Sequence, residues 1–214
     1  MKVLNLYAGI GGNRKLWEDV DVTAVELDPE IAKIYQDYFP NDKVIIGDAH
    51  QYLLDHYDEF DFIWASPPCQ SHTKLMKFTR HDVAKYPDMK LYQEIIFLDN
   101  FFNGLYVVEN VDPYYQPLIK AKKVDRHLWW SNFNIGSFEK PKFNGNYLKA
   151  NKDQLESYYG FFNIPNVYFM GSHDPAKVLK NCVHPKTGLY ILNCARNIIT
   201  KSNVKQIDLF DNEV

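Results

Sequence analysis

Three side chains of this 214-residue sequence could share one reaction. Cys69 stands in SPPCQSHT (residues 66–73), directly after an apolar run and behind two prolines that stiffen the chain. A thiol placed there is presented rather than packed. It works as a nucleophile only as thiolate, which calls for an electropositive or helix-start setting. Glu109 follows LYVV, so it is a carboxylate at the mouth of an apolar strand and a candidate proton donor. Arg126, at the start of RHLWW, supplies a fixed cation with planar donors.

Such a set needs a frame, and the first half of the chain supplies one by alternation. KVLNLYAG, VTAVELD, KVIIGDA, FDFIWASPP and LYVVENV read as strands. Between them GNRKLWEDV, PEIAKIYQDYFP, HQYLLDHYDEF and KLYQEIIFLDNFF read as helices, the second opening with proline in its first turn. Mostly apolar strands alternating with helices argue for a parallel sheet covered on both faces, with ligands at the carboxyl ends of the strands. Beyond Val111 the pattern changes. Residues 112–123 read as a loop, RHLWWSNFNI as a sixth strand, GSFEKPKFNGNYLKANKDQ as irregular and QLESYYGFF as a helix. DPAKVLKNCVHPKTGLYILNCARN reads as helical at both ends and broken near Pro185 and Gly188. The tail after Thr200 is polar.

The other strand ends suit a nucleotide-like ligand. The first ends in YAGIGG, where Gly9, Gly11 and Gly12 permit a tight turn and close approach to the backbone. The second ends in VELD, and Glu26 lies where an acid can take both hydroxyls of a ribose. The third ends in GDA, where Asp48 could accept from an adenine amino group. Each acid could instead cap a helix. Three successive strands ending this way favour the ligand.

In this order, LYAGIGG, VELD, GDA, SPPCQ and ENV resemble the first, second, third, fourth and sixth motifs of the DNA cytosine-5 methyltransferases, with the likeness best over residues 3–126. The resemblance implies an α/β, Rossmann-like fold dependent on S-adenosylmethionine: a mixed, mostly parallel sheet with helices on both faces and a minimal target-recognition region. It implies that Cys69 attacks C6 of a flipped-out cytosine, that Glu109 holds and protonates N3, and that Arg126 binds the base carbonyl and helps keep Cys69 ionised. It implies donor contacts from Tyr7, Ala8, Gly9, Gly11, Gly12, Glu26, Leu27, Asp48, Ala49 and Pro67, with Tyr7 or Leu27 stacking. KNCV (residues 180–183) resembles the tenth motif and brings Asn181 to the donor. Gln70 and Ser71 would face the DNA backbone, and Lys74, Lys123, Lys140, Lys142 and Asn144 are further candidate DNA contacts.

The sequence departs from the family in places. Asn5 stands where the first motif usually opens with aspartate. The eighth motif usually offers two arginines one residue apart; here Arg126 is clear, with Lys123 or His127 as its partner. The expected division is a catalytic, donor-binding region 1–133, a target-recognition region 134–170, a segment 171–200 returning to the catalytic region, and a tail 201–214. So short a recognition region resembles compact phage or prophage enzymes. It predicts a short or relaxed target site, or help from a second subunit, since one good bidentate base contact discriminates by only ~1–3 kcal/mol.

Composition sets bounds. At 46% hydrophobic the chain can bury a real core, and net charge of −3 advertises no nucleic acid in bulk. Residues 74–149, however, hold 12 basic and 8 acidic side chains, making the middle of the chain the candidate electropositive face. Three cysteines without CxxC spacing argue against a disulfide scaffold. No apolar run reaches the ~18 residues of a membrane span. The expectation is a cytoplasmic, metal-free enzyme of a bacterial host or phage-infected cell, a monomer or weak homodimer acting on double-stranded DNA. A transfer-RNA cytosine-5 methyltransferase of the same fold and a catalytically silent DNA binder are the alternatives.

Overall fold

The computed structural model describes residues 1–74, 85–168, 173 and 175–197. The tail 201–214 lies outside the described residues. Thirteen regular elements (3-10 turns aside) follow the chain: β1 (Lys2–Leu6), β2 (Asp21–Glu26), α1 (Pro29–Tyr38), β3 (Lys43–Ile46), α2 (Ala49–His56), β4 (Phe62–Ala65), α3 (Lys90–Phe101), β5 (Leu105–Val111), β6 (Lys122–Val124), β7 (His127–Ser131), α4 (Lys152–Tyr159), α5 (Pro175–Lys180) and α6 (Pro185–Ala195). The strands form one seven-stranded sheet ordered β3-β2-β1-β4-β5-β7-β6. β3 to β5 through β1 are parallel; β7 runs antiparallel to β5, and β6 antiparallel to β7. This is the Rossmann-like methyltransferase arrangement.

Strand residues alternate between two cores, as a period of two requires. Leu4, Leu6, Val25, Ile63, Ala65, Val108, Leu128 and Trp130 face α2 and α3, meeting Leu53, Leu91, Ile95 and Leu98. Val3, Val22, Phe62, Trp64, Val107 and Trp129 face the other way and pack on Ile191, Leu192 and Ala195 of α6. On that same face Ala24 meets Tyr35 of α1. A third cluster joins Ile10, Ile31 and Ile34 to Leu155, Tyr159, Phe161, Ile164, Val178 and Leu179, so α4, α5 and the stretch around Phe161 pack over α1 and the loop after β1.

Three sequence expectations need correction. Residues 12–19 form turns, with no helix. Asp19 takes a left-handed φ of 55°, and Arg14 spends its guanidinium on Asp42 (2.8 and 3.0 Å) and on the Trp17 carbonyl (2.7 Å). α6 fills the layer there, packing on Trp17. Second, residues 122–124 are a strand rather than loop, joined to β7 through Asp125 and Arg126. A three-residue edge strand reading KKV carries no apolar alternation for sequence inspection to detect. Third, the C-terminal break precedes Pro185, which starts α6, and Gly188 lies inside that helix. A Cβ at Gly188 would sit 2.1 Å from the Asn13 carbonyl oxygen. The glycine is there for close packing against the loop after β1.

Candidate active site

The carboxyl ends of β1, β2, β3, β4 and β5 open along one edge of the sheet, and the residues singled out by sequence lie there. After β1 the chain turns sharply: Gly11 N–H donates to the Ala8 carbonyl at 3.0 Å, and Gly9 and Gly11 take φ of 55° and 81°. A side chain at Gly11 would collide with Tyr35 and Phe39, and one at Gly12 would come within 2.5 Å of the Val183 carbonyl oxygen and 2.8 Å of Cys182 Cβ. Beside Gly9 there is open space instead. Tyr7, Ala8, Gly9, Gly12 and Asn181 line one cavity, together with Asn13, which sequence reasoning did not single out. The buried Asn5 and Asn13 side chains exchange two hydrogen bonds (2.7 and 3.4 Å) and so fix the loop from beneath. Asn5 thus has a structural partner in place of the family's aspartate.

Glu26 closes the same turn. Its two carboxylate oxygens accept from Gly9 N–H (2.9 Å) and Asp28 N–H (3.0 Å). Burial pushes this carboxyl above the usual range against the lowering pull of the Asp28 and Gly9 amides. Asp48 caps α2, accepting from His50 and Gln51 N–H, while its second oxygen lies 3.6 Å from Lys90 Nζ. The capping and ligand roles weighed for Asp48 are compatible, since the capped carboxylate remains half exposed, 55% at the side chain. Ala49 behind it is buried in the core. Leu27 and Ile46 stand out at 70% and 60% exposed, apolar and adjacent: Ile46 is the register partner of Glu26. Tyr7 is held differently. In left-handed backbone (φ 56°), it donates its hydroxyl to the buried Glu94, which also takes His50 Nδ1 at 2.9 Å. Leu27 and Ile46, rather than Tyr7, are the exposed apolar surface for a flat base. Geometry, apolar cover and backbone donors all fit a nucleoside-containing donor.

Cys69 follows β4 on a loop fastened at several points. The buried Pro67 carbonyl accepts from Asn110 Nδ2 at 2.9 Å, at the end of β5. The Cys69 carbonyl accepts from His72 and Thr73 N–H (both 3.0 Å), and Tyr114 N–H donates to the His72 carbonyl. His72 Nδ1 lies 2.6 Å from the Tyr115 hydroxyl, and Ser71 Oγ accepts from Asp88 N–H. Lys74 and Lys123 both bind Asp112, the latter at 2.7 Å. Ala65 pairs with Val108, so Glu109 lies one residue beyond the strand level from which the Cys69 loop departs. The two groups interact: burial, and then the Glu109 charge, push the Cys69 thiol up to about 11.

Arg126 does not take the place expected of it. It sits in the two-residue turn between β6 and β7, its side chain 69% exposed, with Asp125 at 3.9 Å. It is not among the groups that shift the Cys69 thiol, which is pushed up by burial and by Glu109. His127 is the neighbour that reaches Glu109, with Nε2 3.4 Å from Oε1. Lys140, expected to face DNA, turns inward: its ammonium donates to His127 Nδ1 and lies 5.9 Å from the Trp129 ring centroid. Gln70, Lys142 and Asn144 are exposed. Lys140 lies far from Glu109 in the chain, and no local sequence signal announces that contact.

A family model described as C-5 cytosine-specific DNA methylase matches residues 1–112, more than half of the chain. The chain belongs to that family. The family's methyl donor is S-adenosylmethionine. Among solved structures, a Spodoptera frugiperda DNMT2 variant is 26% identical over 52% of this chain and 35% of its own, with a TM-score of 0.37. A protein encoded in an Escherichia coli prophage and described as a DNA modification methyltransferase is 22% identical over 54% of this chain and 33% of its own, TM-score 0.37. A TehB-like S-adenosylmethionine-dependent methyltransferase from Corynebacterium glutamicum is 19% identical over 55% and 58%, TM-score 0.36. The chain thus spans about a third of the length of the first two. No curated protein matches it. Among the described residues no helix is long and apolar enough to cross a membrane.

Proposed function

We propose that this chain methylates C5 of cytosine in double-stranded DNA through a covalent adduct between Cys69 and C6. The supporting observation is that the thiol loop after β4 and Glu109 at the end of β5 lie side by side, on the sheet edge that also carries the donor cavity. The donor, when bound, supplies an electrophilic methyl group on a sulfonium. The loop after β1 holds it with Glu26 at the ribose, Leu27 and Ile46 over the base and Asn181 across the cavity. Cys69 loses its proton to solvent and adds to C6. The π pair of the C5–C6 bond shifts onto C5 and is delocalised through C4 to N3, and a proton from Glu109 onto N3 keeps negative charge from building up there. C5 then carries the electron density that takes the methyl group. Water takes the C5 proton, the C–H electrons re-form the C5–C6 double bond and expel Cys69 as thiolate, and N3 returns its proton to Glu109, which closes the cycle. None of this geometry exists with the base in its stack, so the cytosine must be flipped out.

Packing also bears on target choice. Leu155, Tyr159, Phe161, Ile164, Val178 and Leu179 are spent on the α1 cluster, whereas Lys142 and Asn144 are exposed and open to base contacts. With ~1–3 kcal/mol from each good base contact, such a loop supports a short or relaxed site, or help from a second subunit. The test is transfer from labelled donor to duplex DNA and to transfer RNA, by the wild type and Cys69→Ala, followed by single-base methylation mapping. Cytosine C5 label on DNA that disappears with Cys69→Ala is expected. Label confined to transfer RNA, or transfer surviving loss of the thiol, overturns the reading.

A further inference from the structure

We propose that Lys140 and His127 form a proton relay that loads the Glu109 carboxyl. The inference rests on the reading of Glu109 as the group that protonates the cytosine ring. Neither residue touches the base; both are positioning residues acting through Glu109.

The geometry dictates a direction. Lys140 Nζ has only hydrogens to offer and donates to His127 Nδ1, so that nitrogen is an acceptor and the ring proton lies on Nε2. His127 Nε2 then faces Glu109 Oε1 at 3.4 Å, an ion-pair separation that has to tighten for a proton to pass. One proton passing from Lys140 to Nδ1, and another from Nε2 to Glu109, leaves Lys140 neutral, His127 in its other tautomer and Glu109 protonated. Solvent recharges Lys140, and His127 returns to its first tautomer by giving the Nδ1 proton to water and taking one from water at Nε2. No other reactant is needed.

The electrostatics agree. Burial holds His127 below its ordinary value, so the ring is a neutral carrier and not the partner of a fixed ion pair. Burial pushes Lys140 down to about 8, opposed by the charges of Glu109 and Asp125 and reinforced by Arg126. A lysine there gives up and regains a proton near neutral pH. The relay also bears on the nucleophile. The Glu109 charge is the second cause of the raised Cys69 thiol, so protonating Glu109 makes Cys69 easier to ionise. Loading the acid and releasing the thiolate are thereby linked, without the exposed Arg126.

Lys140→Arg separates a relay from a fixed charge: arginine keeps the cation and the contact with the Trp129 face but cannot release its proton. Turnover and donor-free exchange of the cytosine C5 hydrogen are measured from pH 6 to 9 for the wild type, Lys140→Arg, Lys140→Met and His127→Asn. Donor affinity and thermal melting serve as folding controls. The expected result is at least a tenfold loss at pH 8 in all three variants that shrinks toward pH 6, where protons from solvent more readily replace the one Lys140 supplies. Wild-type rates in Lys140→Arg, or losses equal at every pH, overturn the relay. A second readout does not depend on turnover. The NMR titration of Lys140 Nζ should move to lower pH in Glu109→Gln, because the carboxylate that favours the ammonium is gone. An unmoved titration overturns the coupling even if the wild type proves active, whereas a moved titration in an inactive wild type sinks only the methyltransferase reading.

Discussion

The state of Cys69 before substrate arrives can be measured directly. The thiol is pushed up to about 11 from an ordinary 9.0, by burial first and by Glu109 second. At pH 8 a thiol of 9.0 is about one-tenth ionised and one of 11 about one-thousandth, so the reactive form is depleted about 100-fold. The assay is the rate of iodoacetamide alkylation against pH, in a Cys182→Ser, Cys194→Ser background so that only Cys69 reports. Cys182 is itself pushed up to about 12 by burial, but mutation removes any ambiguity. A midpoint near 11 is expected. Glu109→Gln should lower it without restoring 9.0, since burial remains the larger cause. Arg126→Ala should leave it in place. The sign for stability follows: a thiol raised on folding favours the fold below pH 9, and that contribution fades as pH climbs through 11. A midpoint at or below 8.5 would refute the argument, and would mean that a cation already stabilises the thiolate in the free protein.

Three further outcomes test the frame. Gly188→Ala places a Cβ 2.1 Å from the Asn13 carbonyl oxygen and should cost roughly 1–3 kcal/mol by overpacking, read by thermal melting together with weakened donor binding. Arg14→Ala leaves Asp42, a 4% exposed carboxylate, with only the Tyr35 hydroxyl and should destabilise by about 3–5 kcal/mol in denaturant titration; a change under 1 kcal/mol would refute its structural role. Leu27→Ala with Ile46→Ala removes exposed surface, so melting should hardly move while calorimetry shows donor affinity down about tenfold, or ~1.4 kcal/mol. Unchanged affinity would place the donor's base elsewhere.

Much of the frame was legible in the sequence because it rests on local rules. Continuous apolar runs, buried along nearly their whole length, gave away β1, β2, β4 and β5, and Pro29 marked the start of α1. The glycines after β1 and the thiol loop after β4 were readable because tight turns and strand ends demand particular residue types. The expected first helix failed because helical spacing in GNRKLWEDV cannot reveal that Arg14 is claimed by Asp42 and that α6 occupies that layer.

The sequence by itself determined which groups exist: one thiol on a strand-end loop, one strand-end carboxylate and an acid after each of the second and third strands. Only the tertiary structure decided where the cations lie relative to them. Arg126 falls in a two-residue turn created by pairing β6 with β7, and that turn carries it into solvent. Lys140, with no local signal, is carried back to His127 by the chain beyond β7. Register and chain return are long-range properties of packing, and a charge moved from buried to exposed changes its influence on a thiol far more than its residue type does.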